Sequence, residues 1–167
     1  WAWHWSQHNV PALWRIHRTH HEDPAFDATT YLRQHPLEGT IQFLLLVTPL
    51  SFVLKLPAAA TLPMGFVYAA LDFWNHLGVK APLGPFTRIV SGPQLHRHHH
   101  AKDPALGRGN YASFIPAWDI LFGTYVHPAA GCFPEVGLWD GEEDRAARDS
   151  AEERQLPGPP DGIRTRD

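Results

Sequence analysis

The feature that most constrains what this chain can fold into is a nearly unbroken apolar run over residues 41–74. Its polar exceptions are Gln42, Thr48, Ser51, Lys55, Thr61 and Asp72, and prolines interrupt it at positions 49, 57 and 63. Lys55 and Pro57 split the run into two halves, residues 41–56 and 58–74, each slightly shorter than the ~20 residues that cross a hydrocarbon core as a straight helix. The expectation is a tight helical hairpin turning at Lys55 and Pro57, in a setting that tolerates proline within helices. A buried helical hairpin of a soluble protein is the competing reading. Flanking charge favours the membrane: Arg15, Arg18 and Arg33 precede the run, Lys80, Arg88, Arg97, Lys102 and Arg108 follow it, and only Lys55 sits at the turn. By the positive-inside rule both flanks face the cytoplasm. The predicted fold class is all-α, an integral membrane helical bundle with a transmembrane hairpin and a cytosolic, histidine-rich helical cap.

Histidines supply the chemistry of that cap. The chain has 12 of them, and the pattern HxxHH occurs on both sides of the apolar run, as His17, His20, His21 and as His96, His99, His100. Random placement would give roughly 0.06 such matches, so a copy on each flank is a built feature. On a helix, positions i, i+3 and i+4 share a face, and each triplet is expected to aim three imidazoles at one point. His4 and His8, at i and i+4, share a face in the same way, and His76 follows the second apolar half at the membrane surface. The single Cys132 excludes a disulfide framework and a thiolate metal site, so nitrogen and oxygen must hold any metal. So many imidazoles exceed what one tetrahedral site uses, which implies two metals. A zinc hydrolase normally takes about three protein ligands per metal; the surplus of nitrogen suits a pair of redox-active irons instead.

The candidate metal ligands are therefore His4, His8, His17, His20, His21, His76, His96, His99 and His100. His35, before Pro36, is a tenth candidate or a supporting group. His98 lies about 200° around a helix from His96 and is expected to point away from the metals. His127 reads as an ordinary surface or satisfied core histidine, and Trp118, Phe122 and Tyr125 as packing or interfacial anchors.

A formal net charge of -3 gives no broad basic surface, which argues against nucleic acid as a partner. The chain opens at Trp1 with a histidine motif within four residues, and the expectation is that it lacks an N-terminal portion. Composition shifts to Gly, Pro, Ala and charge after Pro128. Residues 1–139 are read as one catalytic domain, and residues 140–167 as a polar tail expected to be disordered. A non-catalytic membrane metal-binding or transport protein is the different-class alternative. A transporter would place ionisable ligands near the bilayer midplane, whereas the apolar segments here contain no histidine.

These motifs resemble the fatty acid hydroxylase / sterol desaturase superfamily of membrane histidine-box enzymes. Residues 13–23, containing His17, His20 and His21, continue through Asp27 and Thr30 to Arg33-Gln34-His35-Pro36-Leu37-Glu38, and look like that family's second histidine box and the segment after it. Residues 95–100, followed by Asn110-Tyr111 and by residues 118–125, look like its last box and C-terminal signature. The resemblance makes Asn110 and Asp119 candidates for orienting imidazole N–H groups, with helix capping as their alternative role. One departure is Trp5, where the family commonly has arginine after the first histidine. The resemblance implies a non-haem di-iron oxygenase with two iron ions (Fe2+/Fe3+) that hydroxylates or desaturates a sterol, fatty acyl or related lipid. It also implies O2 as co-substrate and two electrons from a donor such as cytochrome b5, a ferredoxin or a reductase. The implied setting is the bacterial inner membrane, or the endoplasmic reticulum in a eukaryote, with the histidines facing the cytoplasm.

Overall fold

The computed structural model describes residues 1–139, so the tail expected over residues 140–167 lies outside the described residues. Among the described residues the chain is helical throughout, with no strand and one isolated antiparallel bridge between Ala101 and Val136. Two short helices open it, α1 (Ala2–Asn9) and α2 (Pro11–His21). Val10 between them is extended, with φ -99° and ψ 114°, as a residue before proline prefers, and Pro11 then starts α2 where its missing N–H costs nothing. This one-residue break folds α1 back so that its His4/His8 face meets the His17/His21 face of α2. A 3₁₀ turn at Ala28–Leu32 follows, closed by a capping box in which the Asp27 carboxylate accepts from Thr29 N–H and Thr30 Oγ1 accepts from Asp27 N–H.

The long helix α3 (Pro36–Leu54) has 19 residues, about 28 Å at helical rise. It starts five residues ahead of the apolar run because Pro36 sits in the first turn and His35 caps it, Nδ1 accepting from Leu37 N–H at 3.2 Å. A π segment at Phe43–Val47 lies within it. Among the described residues it is the one helix long and apolar enough to cross a membrane. Lys55, left-handed at φ 52°, turns the chain into α4 (Ala58–Asn75), which carries Pro63 inside it and ends at His76. The Tyr68 hydroxyl links Gln42 on α3 to Asp72 on α4. Leu44, Leu45, Phe52 and Val53 on α3, and Leu62 and Phe66 on α4, are all more than half exposed. Apolar surface this continuous is rare on a soluble monomer and natural against hydrocarbon.

The rest of the chain builds the cap through α5 (Pro93–His99), α6 (Pro104–Gly107) and α7 (Ala117–Leu121). Residues 132–137 run back along α5: Arg97 Nε donates to Pro134 O, Lys102 N to Glu135 O and Gly137 N to His100 O. The interior of this cap inverts the usual rule. Phe26, Leu95, Tyr111 and Val136 are buried, but much of the enclosed volume is imidazole, with His76, His98, His99 and His100 each at 1 % exposure or less.

Candidate metal centre

The nine candidate ligands converge, in two adjacent groups. His4, His8, His17, His21 and His99 form one, and His20, His76, His96 and His100 the other, the ligand nitrogens of each group lying within 4.8 Å of one another. The groups touch: the His21 and His100 rings stack with centroids 4.1 Å apart. This corrects the expectation that each triplet serves one point. In HxxHH the i and i+4 rings stay together, His17 with His21 and His96 with His100, while the i+3 ring, His20 or His99, crosses to the other group. A 3.6-residue period puts i+3 and i+4 on opposite sides of i, so two centres packed side by side each take one of them.

Hydrogen bonding fixes the tautomers. The Nδ1–H of His4 donates to Tyr111 O at 2.8 Å, that of His99 to Gly109 O at 2.8 Å, and that of His17 to Glu38 Oε1 at 2.7 Å. In the second group His20 Nδ1–H donates to Thr30 O at 3.1 Å and His76 Nδ1–H to Asp72 O at 2.7 Å. A neutral ring that donates from Nδ1 carries a lone pair on Nε2. Yet Nε2 of His4 stands 3.1 Å from Nε2 of His17 and 3.0 Å from that of His99, and Nε2 of His76 stands 3.0 Å from those of His20 and His96. In the contacts of His4 with His17 and His99, and of His76 with His20, lone pair faces lone pair, which is repulsive unless a cation sits between; His96 Nδ1 has no partner, so no hydrogen bond fixes that ring's tautomer. Two nitrogens about 2.1 Å from one ion and at right angles stand about 3 Å apart, and tetrahedral partners about 3.4 Å. All four short contacts fall within a group, none between groups.

Other nitrogens are enclosed with no hydrogen-bond partner: His8 Nε2, His21 Nε2, His96 Nδ1 and both nitrogens of His100. Each such orphan costs about 1–3 kcal/mol unless something binds it. Burial, reinforced by neighbouring imidazoles, holds His4, His8, His20, His21, His96 and His100 well below the ordinary histidine range. Burial likewise lowers His99 to about 3 and His76 to about 4. These eight rings are thus neutral at physiological pH, the form in which imidazole binds metals. An all-nitrogen donor set of this size fits two first-row transition ions such as iron.

His98 lies outside both groups, as expected, its Nδ1–H donating to Gln94 O at 2.8 Å, but it is fully buried beside the centre. His35 is also outside both and serves as the α3 cap. His127 pairs with the Tyr125 hydroxyl at 3.1 Å. Phe122 stacks on Trp1 at 4.4 Å, and Trp118 on Phe122 at 6.2 Å. Asn110 and Asp119 are buried near the first group, but neither side chain meets an imidazole. Asp119 accepts from Tyr111 N–H, Ala112 N–H, the Trp1 indole and the Thr124 hydroxyl, so it holds the loop whose carbonyl holds His4. Sequence reasoning missed the role of Glu38, which takes both His17 Nδ1–H and Gln7 Nε2–H on one oxygen. Its signal was available: it is the only acid in the first turn of α3.

A cavity of about 320 Å³ reaches both groups, at His4 and His17 and at His20, His76 and His96. Leu46, Phe114 and Ile115 give it apolar wall, and Gln34, Gln42 and Glu38 polar wall.

An all-α chain with paired imidazole groups at the end of a long, exposed apolar helix is the class that fold and site define. The chain belongs to the fatty acid hydroxylase family, whose model matches residues 1–124. It is 32% identical over 123 residues to alkylglycerol monooxygenase of Xenopus tropicalis, covering 74% of this chain and 27% of the relative. It is also 32% identical over 135 residues to the ornithine lipid hydroxylase OlsE of Rhizobium tropici (81% and 40%), and 33% identical over 135 residues to methylsterol monooxygenase 1 of Rattus norvegicus (75% and 43%). The chain therefore spans less than half the length of these relatives. No solved structure matches it.

Proposed function

We propose that residues 1–139 carry the catalytic centre of a membrane lipid hydroxylase that holds two iron ions in the two histidine groups. The observation that carries this is the sorting of nine imidazoles into two touching all-nitrogen groups beside a cavity that runs between α3 and α4. The proposed reaction takes a lipid C–H, O2, two electrons and two protons to C–OH and water, with the irons supplying the activation of O2. Related proteins named as monooxygenases and hydroxylases favour oxygen insertion over desaturation. The chain's own residues orient and shield. Glu38 and the carbonyls of Thr30, Asp72, Gly109 and Tyr111 fix the ring orientations, the outer hydrogen bonds that commonly set metal affinity. The apolar part of the cavity wall, at Leu46, Phe114 and Ile115, would take a hydrocarbon chain beside the centre. Electrons would come from a separate donor, of the cytochrome b5, ferredoxin or reductase kind, on the aqueous side. Elemental analysis of protein purified in detergent should find two metal ions per chain, and iron-loaded protein in cells should add one oxygen to a membrane lipid; one ion per chain would sink the dinuclear reading.

In the same proposal α3 and α4 form a transmembrane hairpin that leaves the whole histidine centre in the cytoplasm, as the flanking arginines and lysines favour. Single cysteines at Thr19 and Lys102, in a Cys132→Ser background, should show the same protection from a membrane-impermeant thiol reagent applied to intact cells. Opposite protection would mean an odd number of crossings and would separate the two triplets.

A further inference from the structure

The outer hydrogen bonds of the two groups come from different parts of the chain. Those of the second group are carbonyls of the 3₁₀ turn and of α4, at Thr30 and Asp72. Two of those of the first group come from one tripeptide, Gly109-Asn110-Tyr111: Gly109 O takes His99 Nδ1–H and Tyr111 O takes His4 Nδ1–H, each at 2.8 Å. Carbonyls two residues apart in an extended chain point the same way along parallel lines. Here they converge on one centre because Asn110 is left-handed, at φ 59°, a conformation asparagine tolerates better than most residues. The Tyr111 ring adds a third contact, packing against His8 at 5.3 Å between centroids as well as against His4 and His99.

The tripeptide is itself fastened. Asn110 Oδ1 accepts from Val126 N–H at 2.9 Å, its Nδ2 donates to Val126 O at 3.0 Å, and its own N–H donates to Thr124 O at 2.9 Å. Gly109 packs so closely on Thr124 O that a Cβ there would clash with the carbonyl. Asp119 ties down Tyr111 and Ala112 from the other side. Asn110, Tyr111, Ala112 and Asp119 are buried, and Thr124 and Val126 half-buried, so on the tripeptide's side a lost partner leaves a costly orphan.

We infer that Asn110 is a positioning residue dedicated to the first histidine group: it sets how tightly that group, and not its neighbour, holds an ion. The inference rests on the two-ion reading above. Asn110→Ala removes both bonds to Val126 and places a Cβ in the left-handed region; Asn110→Gly removes the same bonds but keeps the conformation open. The experiment follows release of metal from the detergent-purified full chain into excess chelator, which requires no turnover. In the parent two ions leave. In Asn110→Ala one of them should leave on the order of 10–100-fold faster while the other keeps its parental rate, with Asn110→Gly in between. Val136→Ala, a buried substitution elsewhere in the cap, serves as the comparison for general loosening and should leave the ratio of the two rates unchanged. Acceleration of both ions together, in either Asn110 variant, or of neither, would overturn the assignment; if Asn110→Ala does not fold, Asn110→Gly decides it. A parent chain that releases fewer than two ions would instead remove the two-ion reading beneath it.

Discussion

Replacing His17, His21 and His99 together by alanine is expected to leave a protein that retains one ion through a brief chelator wash, and replacing His20, His96 and His100 together is expected to do the same with the other ion. Each triple change draws on both HxxHH boxes, yet each strips a single group, because the i+3 ring of each box crosses over. The first leaves His4 and His8 in a ruined group and the second group whole; the second leaves His76 alone and the first group whole. If each box served its own ion, either set would damage both sites and no ion would be held as in the parent. Product formation should fall by at least on the order of 100-fold in both, since the loss of even an outer hydrogen bond commonly costs 10–100-fold. His98→Gln should keep both ions and most activity, because His98 gives its Nδ1–H to Gln94 O and belongs to neither group. Metal content measured after gel filtration under chelator separates these outcomes, and no tightly held ion in either triple variant would refute the crossed arrangement.

How much of this was legible in the sequence follows from what each residue type can signal. Eight of the nine members of the two groups could be read from spacing, because imidazole is chemically specific and i, i+3 and i+4 sets are a helical signature, and His76 from its place just after the apolar run. Their division could not, because it depends on how α1, α2 and α5 pack, and neighbouring positions such as His20 and His21 go opposite ways. The apolar run located α3 and α4 but placed the start of α3 late, since Leu37 and Glu38 join the helix through a proline and a histidine cap rather than through hydrophobic periodicity. The supporting carbonyls of Thr30, Asp72, Gly109 and Tyr111 left no trace, since every residue has a carbonyl. Asn110 and Asp119 were picked out by resemblance and proved to lie near the centre, but each works on the backbone of a loop, one bond further from the metals than a direct orienting role would put it.

Metal-free protein is expected to lose its folded cap steeply as pH falls from about 6.5 towards 5.5. Six buried members of the two groups, His20, His21, His76, His96, His99 and His100, have their pKa pushed down by burial, His76 to about 4 and His99 to about 3. Below an ordinary histidine pKa of about 6.5 the unfolded chain takes up protons at these positions and the folded chain does not, so stability rises with pH and is lost as pH falls. The loss begins at the unfolded value and levels off only near the depressed folded values, which lie far below. Each imidazole contributes roughly 1 kcal/mol over the first pH unit below about 6.5, where the unfolded ring goes from half to nearly fully protonated, so six give on the order of 6 kcal/mol, comparable with the whole stability of a typical domain at about 5–15 kcal/mol. Bound ions oppose this, because protons must displace them before the rings can charge; the loaded protein should unfold at lower pH, releasing its metal in the same transition. Tryptophan fluorescence and metal release followed together across pH 7 to 4 in detergent provide the measurement. A metal-free cap that kept its native fluorescence to pH 4 would mean that these imidazoles are not enclosed as neutral rings, and the lone-pair geometry on which the metal centre rests would go with it.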